Sequence, residues 1–230
     1  MDPLVLKKLN QARNERKACV LVTNLDDGRD RLVLEGHLVE GELGEAISNA
    51  LRTGKSSAVQ IGETEFFLNA HLPPAKIIVI GAVHITQAMA PIAKMSGYDL
   101  QVIDPRTAFA TPERFEGTTI NAEWPDEVLK EYPLDAYCAL AAVTHDPKID
   151  DFPIAEALRQ ECFYVGALGS RKTHAKRVER LLAEGISQEQ IDRIKAPIGL
   201  DIGAASPQEI AVAVMAEIIE AFRKRGLNSI

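Results

Sequence analysis

Three features of this 230-residue sequence predict an α/β protein, a Rossmann-like parallel sheet with helices on both faces preceded by a small α+β domain. From Lys76 onward, short apolar runs alternate with helix-forming stretches, the rhythm of parallel strands joined by covering helices. Before that point the chain alternates short strands with one or two helices. Between the two patterns Pro73-Pro74 breaks the chain, which puts the small domain over residues 1–72 and the Rossmann-like domain over residues 75–230.

In the first part, Leu4, Leu6 and Leu9 line one face of an opening helix, and Ala18 to Val22 forms a strand. Asp26-Asp27-Gly28 turns the chain into a second strand, Arg31 to Leu34. Gly44 to Leu51 reads as a helix, and Ala58 to Ile61 with Glu65 to Leu68 as a hairpin around Gly62-Glu63. In the second part, Lys76 to Gly81 (KIIVIG) is a buried first strand, followed by a helix around Ile85 to Met95 ended by Gly97, and by the strand Leu100 to Ile103. Ala136 to Val143 and Phe163 to Val165 are further strands, with helices near Ile154 to Gln160 and Thr173 to Ala183. Ser187 with Gln190, and Ser206 with Glu209, have capping-box spacing, and Pro207 stands at a first helical position. The last helix, about Gln208 to Arg223, carries Ile210, Val214, Ile218 and Ile219 on one side and should cover the sheet.

Apolar residues make up 46% and charged residues 26%, the composition of an ordinary soluble globular protein. A net charge of -7 argues against a broad nucleic-acid face, which needs clustered Lys and Arg, but leaves room for one local basic pocket. The longest apolar run, Ile77 to Val83, is far below the roughly 18 residues of a membrane span, so a cytoplasmic location is expected. Cys19, Cys138 and Cys162 have no C-x-x-C spacing and read as reduced, buried small hydrophobes.

The turn after the first strand, Gly81-Ala82-Val83-His84-Ile85-Thr86, keeps one glycine of the G-x-G-x-x-G pattern that grips a pyrophosphate. Asp104, 23 positions after Gly81, stands where dinucleotide folds place a ribose-binding acid; alternatively Asp104-Pro105-Arg106 only turns the chain. Thr144-His145-Asp146-Pro147 follows an apolar strand, where loops open into a ligand crevice; the plainer reading makes Asp146 or Asp150 a helix cap and His145 a solvated loop residue. Gly166, Gly169, Ser170, Arg171, Lys172, Thr173 and His174 combine glycines, a hydroxyl and cations at a helix start, an anion cradle, against the alternative of a basic helix face extended by Lys176, Arg177 and Arg180. Ile198 to Ala205 sets Asp201 among Gly199 and Gly203, either close to a ligand or in a structural turn. His84, His145 and His174 with Asp104, Asp146 and Asp201 could converge at one sheet edge, but none has H-x-x-x-H spacing and no metal site is expected.

Several of these segments together resemble the XdhC/CoxI family: Asp104-Pro105-Arg106 to Phe115, Thr144 to Lys148, Phe163 to Arg171, Pro197 to Gly203, and Pro207 to Ala211. The resemblance covers nearly all of residues 75–223 and implies a maturation factor for molybdenum hydroxylases such as xanthine dehydrogenase or carbon monoxide dehydrogenase. It implies binding of the molybdenum cofactor, in mononucleotide or dinucleotide form, support for its sulfuration by a cysteine desulfurase, and delivery to the apo-hydroxylase, with no turnover and hence no catalytic residue. A homodimer is compatible with it. Gly81, His84, Asp104, His145, Asp146, Gly166, Gly169, Ser170, Arg171, His174 and Asp201 are then the expected cofactor-binding residues, with the glycine run at Gly166 to Arg171 meeting the phosphate.

Two departures stand out. Many members have G-A-G-H where this chain has Gly81-Ala82-Val83-His84, and a Gly-Gly-Cys-x-Glu motif of longer members has no counterpart in Val39 to Ala46. The rival readings are an NAD(P)-dependent oxidoreductase using Asp104 and the His145 loop, disfavoured because Val83 and Thr86 crowd the pyrophosphate, and a ligand-free docking protein.

Overall fold

Pro73 and Pro74 part the chain into two units, one ending at Pro73 and one spanning Pro74–Arg225, in a computed structural model that describes residues 2–225. Residues 226–230, the tail of the expected second domain, lie outside the described residues.

In the first unit, helix α1 (Pro3–Asn14) starts where the Asp2 carboxylate accepts the Leu4 N–H at 2.7 Å. It buries Leu9 and Ala12 against Cys19, Leu32 and Leu34, whereas Leu4 and Leu6 are 69% and 45% exposed. The expected Leu4–Leu6–Leu9 face is therefore corrected: residues two apart are about 200° apart around a helix, so Leu4 and Leu6 cannot share one stripe. Strands β1 (Cys19–Asn24), β2 (Asp30–Leu34), β3 (Ser57–Ile61) and β4 (Thr64–His71) form an antiparallel sheet of order β2-β1-β4-β3. Across it, α2 (Gly41–Thr53) lays Ile47 and Ala50 on Val20, Val22, Val33 and Leu68.

The second unit is Rossmann-like. Six parallel strands, β5 (Lys76–Ile80), β6 (Asp99–Ile103), β7 (Thr119–Asn121), β8 (Cys138–Ala142), β9 (Tyr164–Ala167) and β10 (Ile194–Lys195), lie in the order β10-β9-β8-β5-β6-β7. The chain enters at the centre with β5, steps outward through β6 and β7, then returns past β5 to β8 and steps outward the other way. The connections reverse direction between β5 and β8, the place beyond the carboxyl ends of the strands where sheets of this kind bind ligands.

Side chains alternate across each strand and so supply two cores. Ile77, Val79, Ala139 and Ala141 meet Met89 and Ala93 of α3 (His84–Met95) and Val214 and Ile218 of α8 (Pro207–Lys224). Ile78, Ile80, Leu140 and Val165 meet the opposite layer: α4 (Pro125–Glu131), α5 (Pro147–Arg159), α6 (Arg171–Ala183) and α7 (Gln188–Ile191). Both capping boxes form, at Ser187 and at Ser206. Cys138 and Cys162 are buried here and Cys19 in the first unit, all as free thiols. Among the described residues no helix is long and apolar enough to cross a membrane.

Candidate functional site

Because all six strands of the second unit are parallel, every loop after a strand opens at the same edge, and the switch between β5 and β8 brings two of them into contact. A Cβ on Gly81 would lie 2.9 Å from the Thr144 methyl and 3.3 Å from the Thr144 nitrogen, and its φ of +124° is one that side chains rarely adopt. Glycine is needed here to let the ends of β5 and β8 approach. The third-glycine position of the fingerprint holds Thr86, fully buried, whose hydroxyl donates to the Gly81 carbonyl at 2.6 Å and pins helix to strand. No side chain caps the start of α3 at Val83, and His84 is exposed as its first residue.

Asp104, at the end of β6, is fully buried. One of its oxygens accepts the Ala82 N–H at 2.7 Å and Arg106 Nη2 at 2.8 Å; the other accepts Arg106 Nε at 2.9 Å and the Arg106 N–H at 3.0 Å. Burial pushes this carboxyl up, but the Arg106 fork and the N–H groups of Ala82 and Arg106 together hold it below its ordinary range. The segment from Asp104 to Phe115 then folds back as a strap. Arg106 stacks on Phe109 at 4.8 Å, while Arg114 donates through Nη1 to the carbonyls of Ala82 (3.1 Å) and Phe109 (2.8 Å). Arg114 Nη2 also donates to Gln87 Oε1 at 3.0 Å, and Gln87 Nε2 returns a bond to the Arg114 carbonyl at 3.1 Å. The strap joins the Gly81 turn to the first turns of α3.

Beyond β8, His145 is exposed and adopts φ +65°, and Asp146 caps α5 by accepting the Lys148 N–H at 3.0 Å. The Thr144 hydroxyl accepts the Asp146 N–H at 3.0 Å and donates to Asp150 Oδ1 at 2.7 Å. Asp150, in the first turn of α5, is fully buried, and its Oδ2 has no hydrogen-bond partner. Burial pushes its carboxyl up to about 6, against the lowering effect of the Thr144 hydroxyl and the Arg177 charge.

Beyond β9, Ser170 caps α6 by accepting the Thr173 N–H at 3.2 Å, and Arg171 is exposed at the first helical position. Gly169, at φ +138°, leaves a Cβ only 3.1 Å from the Thr173 methyl. Gly166 lies inside β9, where a Cβ would sit 2.4 Å from the Tyr164 hydroxyl and 2.7 Å from Ile198; this glycine makes room for packing. That hydroxyl donates to Glu217 of α8 at 2.6 Å, and Glu217 also accepts the Gly199 N–H at 2.9 Å, tying the loop that bears exposed Asp201 to α8.

Under the Gly169 turn lies Arg177, 2% exposed. Its Nη2 donates to the Leu168 carbonyl at 3.2 Å, while Nε and Nη1 make no hydrogen bond and Nε stands 4.0 Å from Asp151. Arg180 takes Asp151 as its own partner, Nη2 to Oδ1 at 3.0 Å. His174 is half-buried with an unpartnered Nδ1, and burial, then the Arg177 charge, pulls its imidazole down.

The topology thus places Gly81, His84, Asp104, His145, Asp146, Gly169, Ser170, Arg171 and His174 in loops or helix starts at one sheet edge. Among the described residues no group of three His, Cys, Asp or Glu side chains is placed to hold a metal. Four side chains packed near these loops are not among the cofactor-binding residues expected from the sequence. Arg106 and Arg114 lie inside a family-like segment, Asp150 looks like a cap, and Arg177 looks like part of a solvated basic face.

Known proteins resemble this unit along most of its length. The family described as XdhC Rossmann domain matches residues 77–218. Curated relatives are the protein YqeB of Escherichia coli K12 (30% identity over 69% of this chain and 29% of its own), a protein of Bacillus subtilis 168 named as a probable component of xanthine dehydrogenase (32%, 70% and 47%), and the molybdenum cofactor insertion chaperone PaoD of Escherichia coli K12 (29%, 64% and 40%). Each alignment spans less than half of the relative's length. A crystal structure titled as a xanthine dehydrogenase from Bacillus halodurans shares the fold, with a TM-score of 0.64 and 23% identity over 98% of this chain and 66% of that one.

Proposed function

The chain belongs to the XdhC family, and from that premise we propose that it is a molybdenum-cofactor chaperone serving a xanthine dehydrogenase-type hydroxylase. The observation that carries this reading is the extent of the family match: residues 77–218 contain every loop at the carboxyl edge, from Gly81 to Asp201, and a relative aligned over 147 residues is named for insertion of that cofactor.

The residues present suit an anionic, polar cargo. The uncapped start of α3 and the start of α6 at Ser170 and Arg171 offer N–H groups and positive charge to a phosphate. Buried Arg177 keeps two N–H-bearing nitrogens without a hydrogen-bond partner, a cost of roughly 1–3 kcal/mol for each unsatisfied group that a ligand or bridging water would offset. His84 and His145, exposed at the loop tips, would hydrogen-bond pterin or molybdenum-oxo groups, and Asp201 would orient the cargo from the β10 side. The finer parts of the proposal are hand-over during sulfuration by a cysteine desulfurase, service to carbon monoxide dehydrogenase-type clients, acceptance of a dinucleotide form, a homodimeric state and a cytoplasmic location. The protein would act by binding and release, without turnover.

A dinucleotide oxidoreductase is the weaker reading. A ribose would have to compete for Asp104 with Arg106 and the Ala82 N–H, and a pyrophosphate would meet Val83 and Thr86 in place of glycines. The test is a transfer assay, in which released molybdenum cofactor is incubated with the protein, gel-filtered, and offered to an apo-xanthine dehydrogenase. Pterin and molybdenum should co-elute with the protein and activate the acceptor; protein that emerges without either would refute the proposal.

A further inference from the structure

Three side chains carry buried polar atoms without a partner and belong together: Asp150 through Oδ2, Arg177 through Nε and Nη1, and half-buried His174 through Nδ1. Asp150 and Arg177 interact electrostatically across the α5–α6 boundary, and Arg177 in turn acts on His174. From the other side of the switch point, Arg106 feels the charges of both Asp150 and Asp146. Asp150 is thus a fully buried carboxylate in the field of one arginine of α6 and one of the loop after β6, with Oδ1 accepting the Thr144 hydroxyl and Oδ2 without a hydrogen-bond partner. Neither arginine forms a close ion pair with it: Arg106 is committed to Asp104, and Arg177 lies 4.0 Å from Asp151. Asp151 is bonded to Arg180 and reaches Arg177 only at 4.0 Å, so its charge is shared between those two arginines.

We propose that Asp150 makes ligand capture proton-coupled: an anion entering the crevice competes for the field of Arg177 and Arg106, and Asp150 takes up a proton from solvent as the anion settles. The inference deepens the reading of the crevice as an anionic-cofactor site and rests on it. Two anions in one low-dielectric pocket repel, and the buried carboxyl with a free oxygen is the member able to become neutral. Capture then draws in one proton, and rising pH drives release, so that a deprotonated Asp150 helps to expel the cargo. Asp150 is a positioning residue in this scheme, acting on the ligand through the arginines and through Thr144.

The experiment measures retention of released molybdenum cofactor by wild type and Asp150→Asn between pH 5.5 and 7.5. The phosphate of the cofactor titrates near this window and His174, whose pKa burial lowers, is present in both proteins, so the difference between the two profiles isolates Asp150. Wild type should lose up to about tenfold more affinity than Asp150→Asn, between pH 5.5 and 7.5, for each unit by which the ligand raises the Asp150 pKa. Parallel profiles would overturn the proposal while leaving the chaperone reading intact. Retention by neither protein at any pH would overturn both. Should the variant not fold, carboxyl-carbon NMR of wild type gives the same answer: the Asp150 titration should move to higher pH when cofactor is added, and an unmoved titration contradicts the coupling.

Discussion

Asp150 costs the fold stability at neutral pH. Its carboxyl goes from 3.8 to about 6 on folding, roughly two units, and at 1.36 kcal/mol per unit that is on the order of 3 kcal/mol. A carboxyl with a raised folded pKa leaves stability intact below about 4, where both states are protonated, and withdraws it as pH rises through 6. Replacing Asp150 by Asn should therefore raise the free energy of unfolding by about 3 kcal/mol at pH 7.5 and change it little at pH 3.5, as measured by urea denaturation at the two values. Equal effects at both would show that the buried charge is not the cause. Asp104 has the opposite character, with four donors holding its charge, and its contribution is present at neutral pH and lost as pH falls through its lowered pKa. Two buried acids at one edge thus divide into one that is fixed and one that is poised to change. Neither role was legible in the sequence. Asp150 and Arg177 are 27 positions apart, and only the packing of α5 on α6 turns an apparent cap and an apparent surface cation into two buried groups that feel each other's charge.

At the scale of elements, the legible parts were those with local signals. The KIIVIG strand, the helix behind it and the two capping boxes each carry their evidence within a few residues, and each forms. Strands β7 and β10, three and two residues long, carry too little alternation to be read, and α4 opens on Pro125 without a side-chain cap. Helix α5 starts seven residues before the expected Ile154, because Pro153 masks its continuity and nearly all its sides are buried, which erases the amphipathic period. Strand β9 explains Gly166 by packing, and a substitution checks it. Gly166→Ala would drive a methyl into the Tyr164 hydroxyl and Ile198, costing about 1–3 kcal/mol. Because Tyr164 and Gly199 share Glu217, thermal melting should fall together with faster amide exchange at Gly199; an unchanged melting temperature would mean that the strand has space the geometry denies.

Taken whole, the Rossmann-like unit keeps the architecture of a dinucleotide fold while its first turn is closed from within. The Asp104–Phe115 strap spends the usual ribose acid on Arg106 and the Ala82 N–H, and Thr86 fills the place of a glycine. Exposed beside that closed turn are His84 at the uncapped start of α3 and, after β8 and β9, His145, Ser170 and Arg171, the groups to which the proposal assigns the cargo. Hydrogen–deuterium exchange of the protein with and without released molybdenum cofactor tests this placement most directly. Bound cofactor should slow exchange in residues 83–86, 144–146 and 168–174 and leave the four-stranded sheet of the first unit unchanged. Protection confined to that sheet, or absent everywhere while pterin remains bound, would contradict the crevice as the cofactor site.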